Sequence, residues 1–188
     1  MPAHRAPVPA VFADAVESLR SVRLPNQVRV QEVPAPSRVA PFATALAAQV
    51  EDAEDGEIGS GRFVLLHDPA GQDAWDGTMR VVTFARADLE PEVGEDPLLC
   101  DIGWSWLTEQ LADVPHVAVG GTVTRVLSMS YEGLADRPPT VELEIRASWT
   151  PAGADIGRHL QAWVATLCTV AGLPPLPEGV TALQRRMV

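Results

Sequence analysis

The densest grouping of side chains capable of chemistry is the run from His67 to Gly77, His-Asp-Pro-Ala-Gly-Gln-Asp-Ala-Trp-Asp-Gly. His67, Asp68, Asp73 and Asp76 could offer one imidazole nitrogen and three carboxylates to a divalent cation, a donor set suited to a small metal-dependent hydrolase. The spacing lacks the closing bidentate glutamate of a calcium loop. Asp, Pro and Gly are also what a strand-connecting loop uses to turn, and turn chemistry is the preferred reading. Elsewhere, His116 and His159 stand alone, and neither Cys100 nor Cys168 lies in a nucleophile motif. Ser60, Ser105, Ser128 and Ser130 lack the tight turn of a nucleophile elbow. Gly59-Ser60-Gly61 and Gly120-Gly121 are too short to cradle a phosphate, and the chain has no lysine for a P-loop. No catalytic residue is assigned, and no cofactor is expected.

Charge is more informative than any motif. The 188 residues carry a net charge of −11, which argues against direct nucleic-acid binding because phosphates need a cationic face. Between Glu51 and Asp101, fourteen carboxylates face only Arg62, Arg80 and Arg86, so this third of the chain holds the whole imbalance. Two clusters stand out: Glu51, Asp52, Glu54, Asp55 and Glu57, then Asp88, Glu90, Glu92, Glu95 and Asp96. They serve either solubility or docking of a basic protein partner.

Hydrophobic periodicity supplies the elements that position these groups. Helical spacing is read over 10–23, strands over 28–33, 40–51, 62–67 and 78–88, then a helix from Asp96-Pro97 to about Val114. Residues 40–51 alternate like a strand although their alanines would suit a helix. A long strand follows, with Val117, Val119, Val123, Leu127, Met129 and Tyr131 on one face and a bulge or bend at Gly120-Gly121. Val141 to Trp149 alternate cleanly, and a last helix opens at Asp155 and ends at Gly172. The expected fold is α+β: a curved antiparallel sheet of about six strands flanked by three helices, in the order α-β-β-β-β-α-β-β-α. Residues 10–175 form one domain, with 1–9 and 176–188 as tails. In an antiparallel meander, both acidic clusters fall on one rim of the sheet.

The middle helix has two apolar sides. Cys100, Trp104, Leu107, Leu111 and Val114 form one stripe, and Leu99, Ile102 and Trp106 form another roughly 120° away. A single sheet covers only one, so the second is covered by another helix or is a partner interface. No apolar run approaches the roughly 20 residues that span a bilayer, so no membrane association is expected. Two cysteines far apart in sequence read as small buried hydrophobes, which suits a cytoplasmic location.

Several segments together resemble the actinobacterial "domain of unknown function 3000" family. They are Leu65–Pro69 with Asp73-Ala74-Trp75, Leu89–Glu92, Asp96–Leu99 with Trp104–Leu107, Gly133–Pro138, Glu144–Pro151 and Ala171–Pro175. The resemblance covers nearly the whole chain and brings no activity, substrate or catalytic residue with it. The element order is similar to that of type III secretion chaperones and YbjN-like proteins, which implies a homodimer built with the middle helix. The expected function is that of a non-enzymatic cytoplasmic binding or adaptor protein, a homodimer through Leu99, Ile102 and Trp106. The alternatives are the metal-dependent hydrolase at the His67–Asp76 loop and a small-molecule sensor using a cleft between sheet and helices.

Overall fold

The computed structural model describes residues 7–54, 56–153 and 155–173. The tails expected at 1–9 and 176–188 fall wholly or mostly outside them. The chain runs α1 (Ala10–Arg20), β1 (Val28–Val33), β2 (Phe42–Asp52), β3 (Gly56–Gln72), a single 3₁₀ turn at Asp73–Trp75, and β4 (Gly77–Leu89). There follow α2 (Pro91–Gly94), α3 (Leu99–Leu111), β5 (His116–Ser128), a second 3₁₀ turn (Glu132–Leu134), β6 (Thr140–Pro151) and α4 (Ile156–Val170). The six strands form one open antiparallel sheet in the order β1-β2-β3-β4-β6-β5. The expected element order holds, with the four-residue α2 added.

Strand alternation sorts the side chains. Val50, Phe63, Leu65, Val81, Leu143, Ile145 and Trp149 point to one face and are almost fully buried under α3 and α4, with α1 packed beside α4. Their cross-strand partners' neighbours, such as Gln49, Arg62, Arg86, Glu144 and Arg146, point the other way. Helices therefore cover only one face.

Glycine decides how closely the helices approach. A Cβ at Gly61 would meet the Trp163 ring at 2.7 Å, and one at Gly121 would meet Trp104 at 2.8 Å. Absent side chains here seat two tryptophans directly on the sheet. This explains why β3 starts at Gly56, six residues before the expected strand: Gly59 and Gly61 serve packing and not a turn. The irregularity in β5 also differs from expectation, because its register shift lies between Val117 and Gly120, with Ala118 at φ 52°.

The middle helix corrects the two-stripe reading. Its buried line is Leu99, Gly103, Leu107 and Leu111, running between the expected stripes. Gly103 lets α3 settle on Leu143 and Val123, where a Cβ would sit 3.3 Å from each, and this turns Leu99 inward to 2% exposure. Trp106 is half-buried against the core, and of the expected interface trio Ile102 alone is exposed, at 36%.

α4 starts and stops through side-chain and backbone devices. The Ser18 hydroxyl of α1 accepts from Gly157 N at 2.8 Å and donates to Asp155 Oδ1 at 3.2 Å. At the other end Gly172, at φ 79°, lets Leu173 N reach Cys168 O at 2.8 Å, a left-handed helix stop.

Candidate functional site

The face left bare by the helices holds an open groove of about 1060 Å³. One row of directly paired residues crosses it: Gln31, Ala47, Arg62, Phe84 and Arg146, contributed by five different strands. Val64 and Val82 extend the apolar floor, while Arg29, Gln49, Glu51 and Glu57 line one end. Past the other end, Ala45, Val64, Leu66 and Trp75 form a small second core against the segment containing Ala35 and Ala40. Gln72 Nε2 donates to Val39 O at 3.5 Å, and the Thr150 hydroxyl donates to Trp75 O, which fix this cover in place. The groove is thus bounded by a folded-over segment at one end and the acidic β2–β3 hairpin at the other.

Its centre is an aromatic ring between two guanidiniums. Arg146 stacks over Phe84 with its Cζ 5.4 Å from the ring centroid, a contact worth about 0.5–1 kcal/mol when exposed. Arg62 sits opposite Phe84 on β3. Arg29, Arg86 and Arg146 pair with Glu51 (2.8 Å), Glu142 (2.6 Å) and Glu144 (2.7 Å). Among the described residues Arg62 has no ion-pair partner. Arg80, whose pKa burial draws below the usual arginine value, donates instead to Ser148 Oγ, Thr150 Oγ1 and Ala118 O, pinning the β5 bulge. Such a surface can hold an extended chain through apolar contact, cation–π stacking and bidentate bonds to carboxylates.

The other expected sites are arranged differently. His67 is 2% exposed, stacked on Phe12 with centroids 5.9 Å apart, and its Nδ1 bonds Thr78 O at 2.9 Å. Asp68, the next residue, turns away and accepts from Ala70 N and Gln72 Nε2. Sheet alternation puts His67 and Asp68 on opposite faces, and the four residues do not come together as one donor set. The described residues contain no group of three or more His, Cys, Asp or Glu able to hold a metal. Cys100 and Cys168 are free thiols, and burial pushes Cys168 up to about 11. The β2–β3 hairpin and the end of β4 lie at one end of the sheet, since Glu51 pairs Glu57 and Gly59 pairs Ala87; Asp55 lies outside the described residues. A cleft of about 250 Å³ between α1 and β1–β2 is small for a ligand site.

Sequence reading missed the groove. Its one local signal is the outward half of each strand's alternation, where Phe84 stands in a row otherwise made of Gln31, Ala47, Arg62 and Arg146.

The architecture is that of an α+β protein with one open antiparallel sheet, helix-covered on a single side and grooved on the other. The chain matches the family described as "Protein of unknown function (DUF3000)" over residues 8–181, and it belongs to that family. No curated protein and no solved structure matches it significantly. No helix among the described residues is long and apolar enough to cross a membrane.

Proposed function

We propose that this protein is a non-enzymatic cytoplasmic binding or adaptor protein that works through protein–protein contacts as a homodimer, with the open sheet face as its contact surface. The observation that carries this reading is the uncovered groove around Phe84, with Arg62 and Arg146 on either side. In a chain of net charge −11, arginines gathered on one apolar surface favour a protein segment bearing acidic and apolar side chains. Nucleic acid is not the expected ligand, because the chain carries a net charge of −11 and Glu51 and Glu57 line one end of the groove.

The experiment compares partner capture by the wild type, by Arg62→Glu with Phe84→Ala, and by a rim variant, Glu90→Arg with Glu92→Arg. Loss of the same partner in the groove variant, with the rim variant unaffected, supports the reading. Capture that survives the groove variant and fails in the rim variant would move the working surface to the acidic rim and a basic partner.

A further inference from the structure

The two edges of the sheet are built in opposite ways. β1 is six residues long and carries Arg29 and Glu32, each held in an ion pair, Arg29–Glu51 and Arg20–Glu32. Charges on a short strand are the usual protection of an exposed edge. β5 is thirteen residues long, pairs among the described residues only with β6, and is exposed along nearly its whole length. From Gly120 to Ser128 it reads Gly-Gly-Thr-Val-Thr-Arg-Val-Leu-Ser. The one charge in that stretch is tied down, because Arg125 Nη1 donates to Gly94 O at 2.9 Å and Asp96 O at 3.0 Å. Leu127 is 61% exposed and Val126 40%. A long edge rich in β-branched residues, whose one charge is turned onto the carbonyls of Gly94 and Asp96 and whose outer side is unpaired among the described residues, is a template for another strand.

We infer that the occupant is a second copy of this chain, with β5 pairing antiparallel to β5 of its partner about a two-fold axis at Thr124. The register follows from the strand itself. The regular stretch Gly120–Ser128 is bounded by the bulge at Ala118 on one side and the strand end on the other, and centring on Thr124 pairs all nine residues. Any other centre shortens the ladder. Positions then oppose as 121 with 127 and 122 with 126, so exposed Leu127 lies opposite Gly121, which has no side chain and lies under Trp104. Arg125 meets Val123, so no like charges face each other. The axis stands perpendicular to the sheet, as an isologous contact requires, and sends the acidic rims to opposite ends. The result is one continuous twelve-stranded sheet with all helices on the same side.

This inference rests on the homodimer part of the proposed function, not on the groove. Light scattering on the full chain at tens of micromolar should give twice the chain mass. Val126→Lys with Leu127→Lys, both already at exposed positions, should give a monomer with an unchanged circular dichroism spectrum, while Ile102→Asp stays dimeric. In a Cys100→Ser background, Thr124→Cys should cross-link to a dimer on mild oxidation. Ser128→Cys should not, since its two copies would stand about 27 Å apart. A monomeric wild type overturns the pairing and leaves groove binding to be judged by its own test. A dimer split by Ile102→Asp, or cross-linked at 128 and not at 124, overturns it equally.

Discussion

The buried pair Trp149–His159 shows how a single residue ties this fold to pH. The indole Nε1–H of Trp149 donates to His159 Nδ1 at 3.0 Å, and both side chains are at most 2% exposed. Protonating Nδ1 would set two donors against each other inside the core. Burial, reinforced by His116 and opposed by Asp155, lowers the His159 pKa to about 4. The unfolded chain, with an ordinary value near 6.5, binds this proton first, so the contribution is intact above about pH 6.5 and is lost as pH falls towards 4. The full effect is at most about 3 kcal/mol. Urea unfolding at pH 7 and pH 4.5 should show the drop, and His159→Asn should flatten it. A variant with the wild-type slope would assign the acid sensitivity elsewhere. In the sequence His159 is one isolated histidine within the last helix. Its partner was invisible, because Trp149 reaches it only after β6 and α4 pack together.

Elements were the most legible level, for a physical reason. β6 is half-buried, so apolar residues on the helix face alternate with Glu142, Glu144 and Arg146 on the bare face, and that period survives in the sequence. The sequence pattern gives too short a β3 because glycine reads as a turn residue, whereas here it makes room for Trp163 and Ala171. Helix starts were legible only in outline: Asp155 precedes α4 as expected, but the bond to the first turn comes from Ser18, 139 residues before Gly157. Ser18→Ala should therefore cost about 1 kcal/mol of stability, read from the urea midpoint, although Ser18 belongs to another helix. An unchanged midpoint would mean that the Asp155 carboxylate or solvent serves Gly157 N equally well. Ala118 is the opposite case. Its φ of 52° costs an L-residue roughly 1 kcal/mol that glycine avoids, so Ala118→Gly should raise the midpoint while the Arg80 bond to its carbonyl persists. A fall would mean that the flexibility gained by the unfolded chain outweighs relief of the strain.

At the scale of the whole molecule, the groove was illegible because its residues come from five strands. Gln31, Ala47, Arg62, Phe84 and Arg146 become neighbours only through the strand order. In particular, α3 carries the chain past β6, so that β5 takes the edge and β6 lies beside β4. The same crossover links the groove to the proposed pairing. A two-fold axis perpendicular to the sheet turns both grooves to the same side. Phe84 and its counterpart would be separated by five strand spacings and four residues along the strands, about 27 Å on a flat sheet. Two sites so placed favour a partner that is itself dimeric or repeats its acidic, apolar segment, because the second contact becomes intramolecular. On a surface densely coated with such a partner, the dimer should dissociate at least tenfold more slowly than the Val126→Lys, Leu127→Lys monomer. Against the same segment as a single soluble peptide, the two should bind alike, since neither substitution touches the groove. Equal dissociation from the dense surface would mean that the two grooves do not act together, and weaker binding of the peptide by the monomer would mean that the edge strand belongs to the binding site itself.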